Sequence, residues 1–184
     1  MNILSENERG FETSLTSCRR RDFENTLDTN TSSRSRNNSP EGGRALLSCG
    51  SGGIGPMPII STPLSRPIPV CSVSLDTSGL INPRVLLTFT SLICLPATIL
   101  VSLNFIIEKC IEGGAPQAIG GTHTFSELAS VLESESFCFQ YCDCCPCNSC
   151  TTYTVKLEPS SLISETAGLT ITNATLCALA VETL

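Results

Sequence analysis

An all-β fold, a jelly-roll-like antiparallel β-sandwich behind a disordered N-terminal arm, is the class this sequence predicts, and three observations predict it. From Ala45 onward, apolar and polar side chains alternate with a period of two. The alternating runs are rich in Val, Ile, Leu and Thr, which suit a pleated, half-buried surface. Gly, Pro, Asn and Asp interrupt them at the spacing sandwiches and jelly rolls use, which implies about eight short strands.

The elements follow in chain order. Residues 1–44 form the arm: Asp28 to Arg44 is Ser, Thr, Asn, Gly and Arg without an aliphatic side chain, too polar to bury enough surface to offset its ordering entropy. Residues 45–66 read as a Gly/Pro-rich connector. It opens on a short strand candidate, Ala45 to Cys49, and continues through a flexible Gly50 to Gly55 and a Pro-studded stretch. The sandwich itself spans 67–184. Cys71, Val73 and Leu75 alternate with Ser72, Ser74 and Asp76, and a turn follows at Asp76 to Gly79. Val85, Leu87 and Phe89 share one face of the next strand; after a turn at Pro96, Ile99, Val101, Leu103, Phe105 and Ile107 share another, ended by Glu112-Gly113-Gly114. A weaker strand runs near Gln117 to Phe125, and Phe137, Phe139 and Tyr141 line the one after it. Tyr153, Val155 and Leu157 face inward next, then a strand stops near Asn173, and Leu176 to Val181 makes the last. With no Trp, few aromatics and many aliphatics, the core is expected to be aliphatic and β-branched.

Charge excludes one class of partner. The chain carries 17 acidic and 11 basic side chains, net −6. Seven of each sign fall in residues 1–44, so the sandwich holds the whole excess, the wrong sign for neutralising phosphates. No nucleic-acid partner is expected. Val85 to Ile107 is uncharged and long enough for a membrane span, but Thr88, Thr90, Ser91, Pro96, Thr98, Ser102 and Asn104 inside it point to two strands instead. The N-terminus shows neither the basic nor the apolar region of a secretory signal.

The chemistry concentrates in Cys142-Asp143-Cys144-Cys145-Pro146-Cys147-Asn148-Ser149-Cys150, which holds five of the twelve cysteines. Thiols this dense either hold a soft metal or become disulfide. As zinc ligands, Cys142, Cys144, Cys145, Cys147 and Cys150 supply close pairs without a distant second pair. As disulfide formers, Cys144 and Cys145 point apart on an extended chain and seek different partners. Cys138 lies opposite Phe137 and Phe139, toward solvent or a neighbour. Catalysis is not expected. The lone His123 reads as an ordinary strand residue, Glu133 and Glu135 read as a solvated face, and no phosphate-binding loop or nucleophile elbow occurs.

A series of motifs resembles a known family. Leu46-Leu47-Ser48-Cys49-Gly50-Ser51-Gly52, Pro67-Ile68-Pro69-Val70-Cys71-Ser72-Val73-Ser74-Leu75-Asp76-Thr77-Ser78, Asn82-Pro83-Arg84-Val85, Thr124-Phe125-Ser126, Ser136-Phe137-Cys138-Phe139 and the CDCC cluster before Tyr153 follow in order. Together they are similar to a cysteine-rich domain of unknown function from anaerobic spore-forming bacteria, over about residue 46 to the C-terminus. Two departures stand out: Gly79-Leu80-Ile81 where members often carry a cysteine, and the Arg- and Ser-rich arm. In layout, a cysteine-bearing arm before a jelly roll also resembles endospore-appendage subunits, whose N-terminal segments are locked into neighbours by disulfides. The resemblance implies a structural, self-assembling subunit of a spore surface layer or appendage, made reduced in the mother-cell cytoplasm and oxidised later. Its partners would be further copies of itself and other spore-layer proteins, with no cofactor. The expected bonds join Cys49, or Cys18, to Cys138, Cys142, Cys144, Cys145, Cys147 or Cys150 of a neighbour. The alternative is a monomeric zinc module using the five clustered thiolates.

Overall fold

The computed structural model describes residues 43–57, 66–96, 99–129, 132–144, 148–158, 162–163 and 168–183, and these form one unit that begins at Gly43. The strands are β1 (Ala45–Ile54), β2 (Ile68–Asp76), β3 (Pro83–Leu95), β4 (Ile99–Ile111), β5 (Gln117–Ala129), β6 (Glu133–Asp143), β7 (Cys150–Leu157), the two-residue β8 (Leu162–Ile163) and β9 (Thr170–Glu182). One sheet has the order β1-β9-β3-β6; the other has β2-β7-β4-β5, with β8 beside β4. All pairings are antiparallel.

The pairings are nested. β4 pairs with β5, β3 with β6, β2 with β7 and β1 with β9, so the chain is one long folded ribbon wound into two layers, which is the jelly roll the periodicity predicts. β3 and β4 flank Pro96 but lie in different sheets. Pro96 thus marks a crossing between layers. Of the segment Val85 to Ile107, residues up to Leu95 lie in β3 and residues from Ile99 in β4, and among the described residues no helix is long and apolar enough to cross a membrane.

Strict alternation builds the core. Along β3, Val85, Leu87, Phe89, Ile93 and Leu95 are buried; along β4, Val101, Leu103, Phe105 and Ile107 are; along β7, Tyr153, Val155 and Leu157. The core is not purely aliphatic. Phe89, Phe105, Phe125, Phe137 and Phe139, the only phenylalanines after residue 44, gather in one cluster with neighbouring ring centroids 4.9 to 6.5 Å apart. Composition could not show this, because five rings count for little until four strands bring them together.

Two predicted breaks are not breaks. Gly50 to Ile54, expected to be flexible, continues β1, paired with β9 in one register through Gly52↔Ala174 and, after a register shift, again at Ile54↔Ile171. Asn173, expected to end a strand, is a bulge inside β9 with φ 51°, opposite a register shift in β3 between Thr90 and Leu92. Past Ile54 the connector stays attached: Met57 is buried, its N–H donates to the Leu169 carbonyl at 2.9 Å, and its carbonyl accepts from Gly168 N–H at 3.0 Å.

The sandwich closes at both open sides by different means. On one side β1 and β2, from opposite sheets, approach so closely that a Cβ at Gly50 would collide with the Ser72 carbonyl oxygen, and one at Gly52 with that of Val70. The glycines are there for close backbone approach, which explains their place inside a strand. On the other side β5 meets β6 through rings. Gly120, at φ 78°, lies under Tyr141, whose Cδ2 is 2.7 Å from where a Cβ would stand, and His123 stacks on Phe139 at 3.9 Å between centroids and 5° between planes.

Gly52→Ala is expected to lower stability by about 1–3 kcal/mol or more through this overpacking. Gly55→Ala, with open space around its Cβ, serves as the near-neutral control. Urea unfolding followed by circular dichroism measures both, and equal stability of the two variants would contradict the close-approach account.

Candidate functional site

The cysteine-rich segment leaves the end of β6 and returns at the start of β7. Along β6 the side chains alternate: Phe137, Phe139, Tyr141 and Asp143 turn inward, while Cys138, Gln140 and Cys142 turn outward. A carboxylate at an inward position needs a partner, and two residues of the opposite sheet provide it. Lys109 on β4 donates from Nζ to Asp143 Oδ2 at 2.6 Å, and Tyr153 on β7 donates from its hydroxyl to the same oxygen at 2.9 Å. All three side chains are buried. Lys109 and Tyr153 are directly opposed in the β4–β7 ladder, so one register brings both donors to one oxygen.

The other end of the segment is pinned as well. Thr77 donates from both its backbone N–H and its hydroxyl to the Ser149 carbonyl, each at 3.3 Å, and Glu112 N–H donates to the Cys150 carbonyl at 2.9 Å. Cys150 is itself disulfide-bonded. The loop is therefore held at both ends.

Inward anchoring of Asp143 sends its neighbours outward. Cys142 and Cys144 are exposed, unbonded thiols whose sulfurs lie 3.8 Å apart. The pKa of Cys142 is raised, first by burial and then by the adjacent Cys144, against an opposing pull from Arg84. Cys138 is exposed and unbonded on the same strand face, four residues before Cys142, about 13 Å along an extended chain. Cys18, Cys145 and Cys147 lie outside the described residues. Among the described residues, no group of three or more His, Cys, Asp or Glu side chains converges to hold a metal.

Cys49 requires a correction. Expected on a mobile connector and free to bond a neighbour, it lies in β1 directly opposite Cys177 of β9, Cα to Cα 4.1 Å, and is disulfide-bonded to it within the chain. The reason is register: Cys177 reads as a lone strand cysteine until β1 is laid beside it. The bond joins residues 128 apart and ties the outermost strand pair, where cross-linking restricts the unfolded chain most.

Two other thiols differ in character. Cys71 is buried and its pKa is pushed up to about 12 by burial, which makes it inert. Cys94, to which sequence reasoning assigned no role, has its pKa lowered, chiefly by hydrogen bonding with Ser134 and then Thr170. Those residues are its direct partners on β6 and β9, a match visible only once the ladders are aligned. His123, read as an ordinary strand residue, is partly buried with no hydrogen-bond partner on Nε2, and burial lowers its pKa from 6.5.

Asp143→Ala, which leaves the Lys109 ammonium buried without its carboxylate, is expected to cost about 3–5 kcal/mol in urea unfolding, whereas Lys109→Met with Asp143→Leu recovers most of the loss. If the single and double variants were equally unstable, the tie would not be the cause. His123 predicts a pH effect of definite sign. Its native pKa is depressed, so the unfolded state takes up the proton more readily, and its contribution is complete above about pH 6.5 and lost as pH falls from there through the lower native pKa. His123→Phe, which keeps the stacking, should flatten the fall in stability between about pH 7.5 and about pH 5.5.

No curated protein matches this chain. The model of one family does match, over residues 43–181, which is the whole sandwich from just before β1 to the penultimate residue of β9. The chain belongs to the family of the domain of unknown function DUF4489.

Proposed function

We propose that the protein is a structural, self-associating subunit of a spore surface layer or appendage, hardened by disulfides between copies, and not an enzyme. The observation that carries this reading is the placement of the free thiols. Cys138 and Cys142 on the outward face of β6, and Cys144 just past its end, are open to solvent on a rigid scaffold, at an edge strand of its sheet. A thiol that serves only the interior is buried, as Cys71 is.

The surrounding face suits contact with another chain. Leu47, Leu86, Leu179 and Val181 are exposed side by side across β1, β9 and β3, and Leu86 lies directly beside Cys142. With Cys49 committed to Cys177, the cross-linking thiols in this reading are Cys138, Cys142 and Cys144, with Cys18 of the arm as the N-terminal donor. The spore setting rests on the resemblance of the motifs, and it accounts for a cysteine-rich chain made in a reducing compartment and oxidised afterwards.

Full-length protein purified anaerobically and then oxidised in air should lose free thiols and form multimers that reductant dissolves. The variant Cys138→Ser/Cys142→Ser/Cys144→Ser should multimerise far less while keeping the Cys49 to Cys177 bond. Oxidised wild-type protein that ran as a monomer on non-reducing gels would overturn the proposal.

A further inference from the structure

Cys142 and Cys144 have a geometry that the cross-linking role does not require. Their sulfurs are 3.8 Å apart, with the Cys144 thiol donating to the Cys142 sulfur and no disulfide between them. In a tetrahedral four-thiolate zinc site with bonds of about 2.3 Å, neighbouring sulfurs are about 3.8 Å apart. The two thiols already span one edge of such a tetrahedron. The bite is also set in advance: Asp143 between them is drawn inward by Lys109 and Tyr153, which fixes the backbone from which both cysteines project. Arg84, on β3 next to Val85 whose partner is Asp143, places a cation beside the pair that offsets thiolate charge.

We propose that Cys142 and Cys144 form half of a zinc site that a second copy of the chain completes with the same two residues. Two edges related by a two-fold axis make a closed tetrahedron of four thiolates, the self-complementary arrangement of a symmetric dimer. On binding, each thiol releases its proton to solvent and its sulfur lone pair goes to the metal, so nothing is oxidised or reduced. The site rests on the self-association reading, since it joins copies through the same face, but it operates on reduced thiols.

The test uses the full chain, purified anaerobically and loaded with zinc alone. About one zinc per two chains is expected, in a dimer that a chelator returns to monomer, and Cys142→Ser/Cys144→Ser should abolish both while Cys138→Ser changes neither. Cobalt in place of zinc gives a readout that needs no variant: a tetrahedral spectrum with strong thiolate-to-metal charge transfer. Failure to retain zinc, one zinc per chain in a monomer, or zinc binding untouched by the double variant would each overturn the shared site. Oxidative cross-linking measured in chelator without metal is a separate result, so the failure of one proposal is distinguishable from failure of the other.

Discussion

A lysine, an aspartate and a tyrosine meet between the two sheets, and the cysteine-bearing segment depends on where they meet. Taking Lys109 and Asp143 out of water costs several kcal/mol per ion, and only close pairing with a further hydrogen bond offsets it. Tyr153 supplies that bond. The pair is therefore less a source of net stability than a constraint. Any register that moves Asp143 from the Lys109–Tyr153 rung leaves a buried charge unpaired, which penalises slippage of β6 far more than apolar packing alone does. The end of β6 is thus held to one position, and the thiols on either side of Asp143 are held to one face.

The rest of the sandwich shows how a wound ribbon protects its sides. At β1 and β2 the backbones come too close for side chains between them, and Gly50 and Gly52 make that possible. At β5 and β6 rings fill the seam instead, with Tyr141 over Gly120 and His123 over Phe139. Both devices bury the edge where the layers meet, which limits uncontrolled strand addition. The outward face of β6 is a different surface, and its exposed thiols point away from the seam. The fold thus leaves this face as the place where its thiols are open to solvent.

Much of the architecture was legible because alternation is a local signal. The odd-numbered face of β4 from Val101 to Ile107 could be read residue by residue, and so could the outward direction of Cys138. What misled was composition taken as punctuation. Glycines 50, 52 and 53 look like a flexible hinge, yet they occupy a strand because another backbone passes close by. Asn173 looks like a strand end, yet it is a bulge within β9. The cysteines divided the same way: their faces could be read, while their partners depended on register across more than a hundred residues.

By itself the sequence determined the class of the fold, the inward and outward faces of its strands, the acidic charge of the sandwich and the clustering of thiols at Cys142 to Cys150. These follow from periods of two and from counts, which need no knowledge of distant neighbours. Only the tertiary structure decided that Cys49 closes onto Cys177, that Asp143 is drawn inward by Lys109 and Tyr153, and that five phenylalanines form one cluster. Those outcomes depend on the order in which strands are laid side by side. In a nested ribbon that order pairs residues far apart in the chain, and no local pattern encodes it.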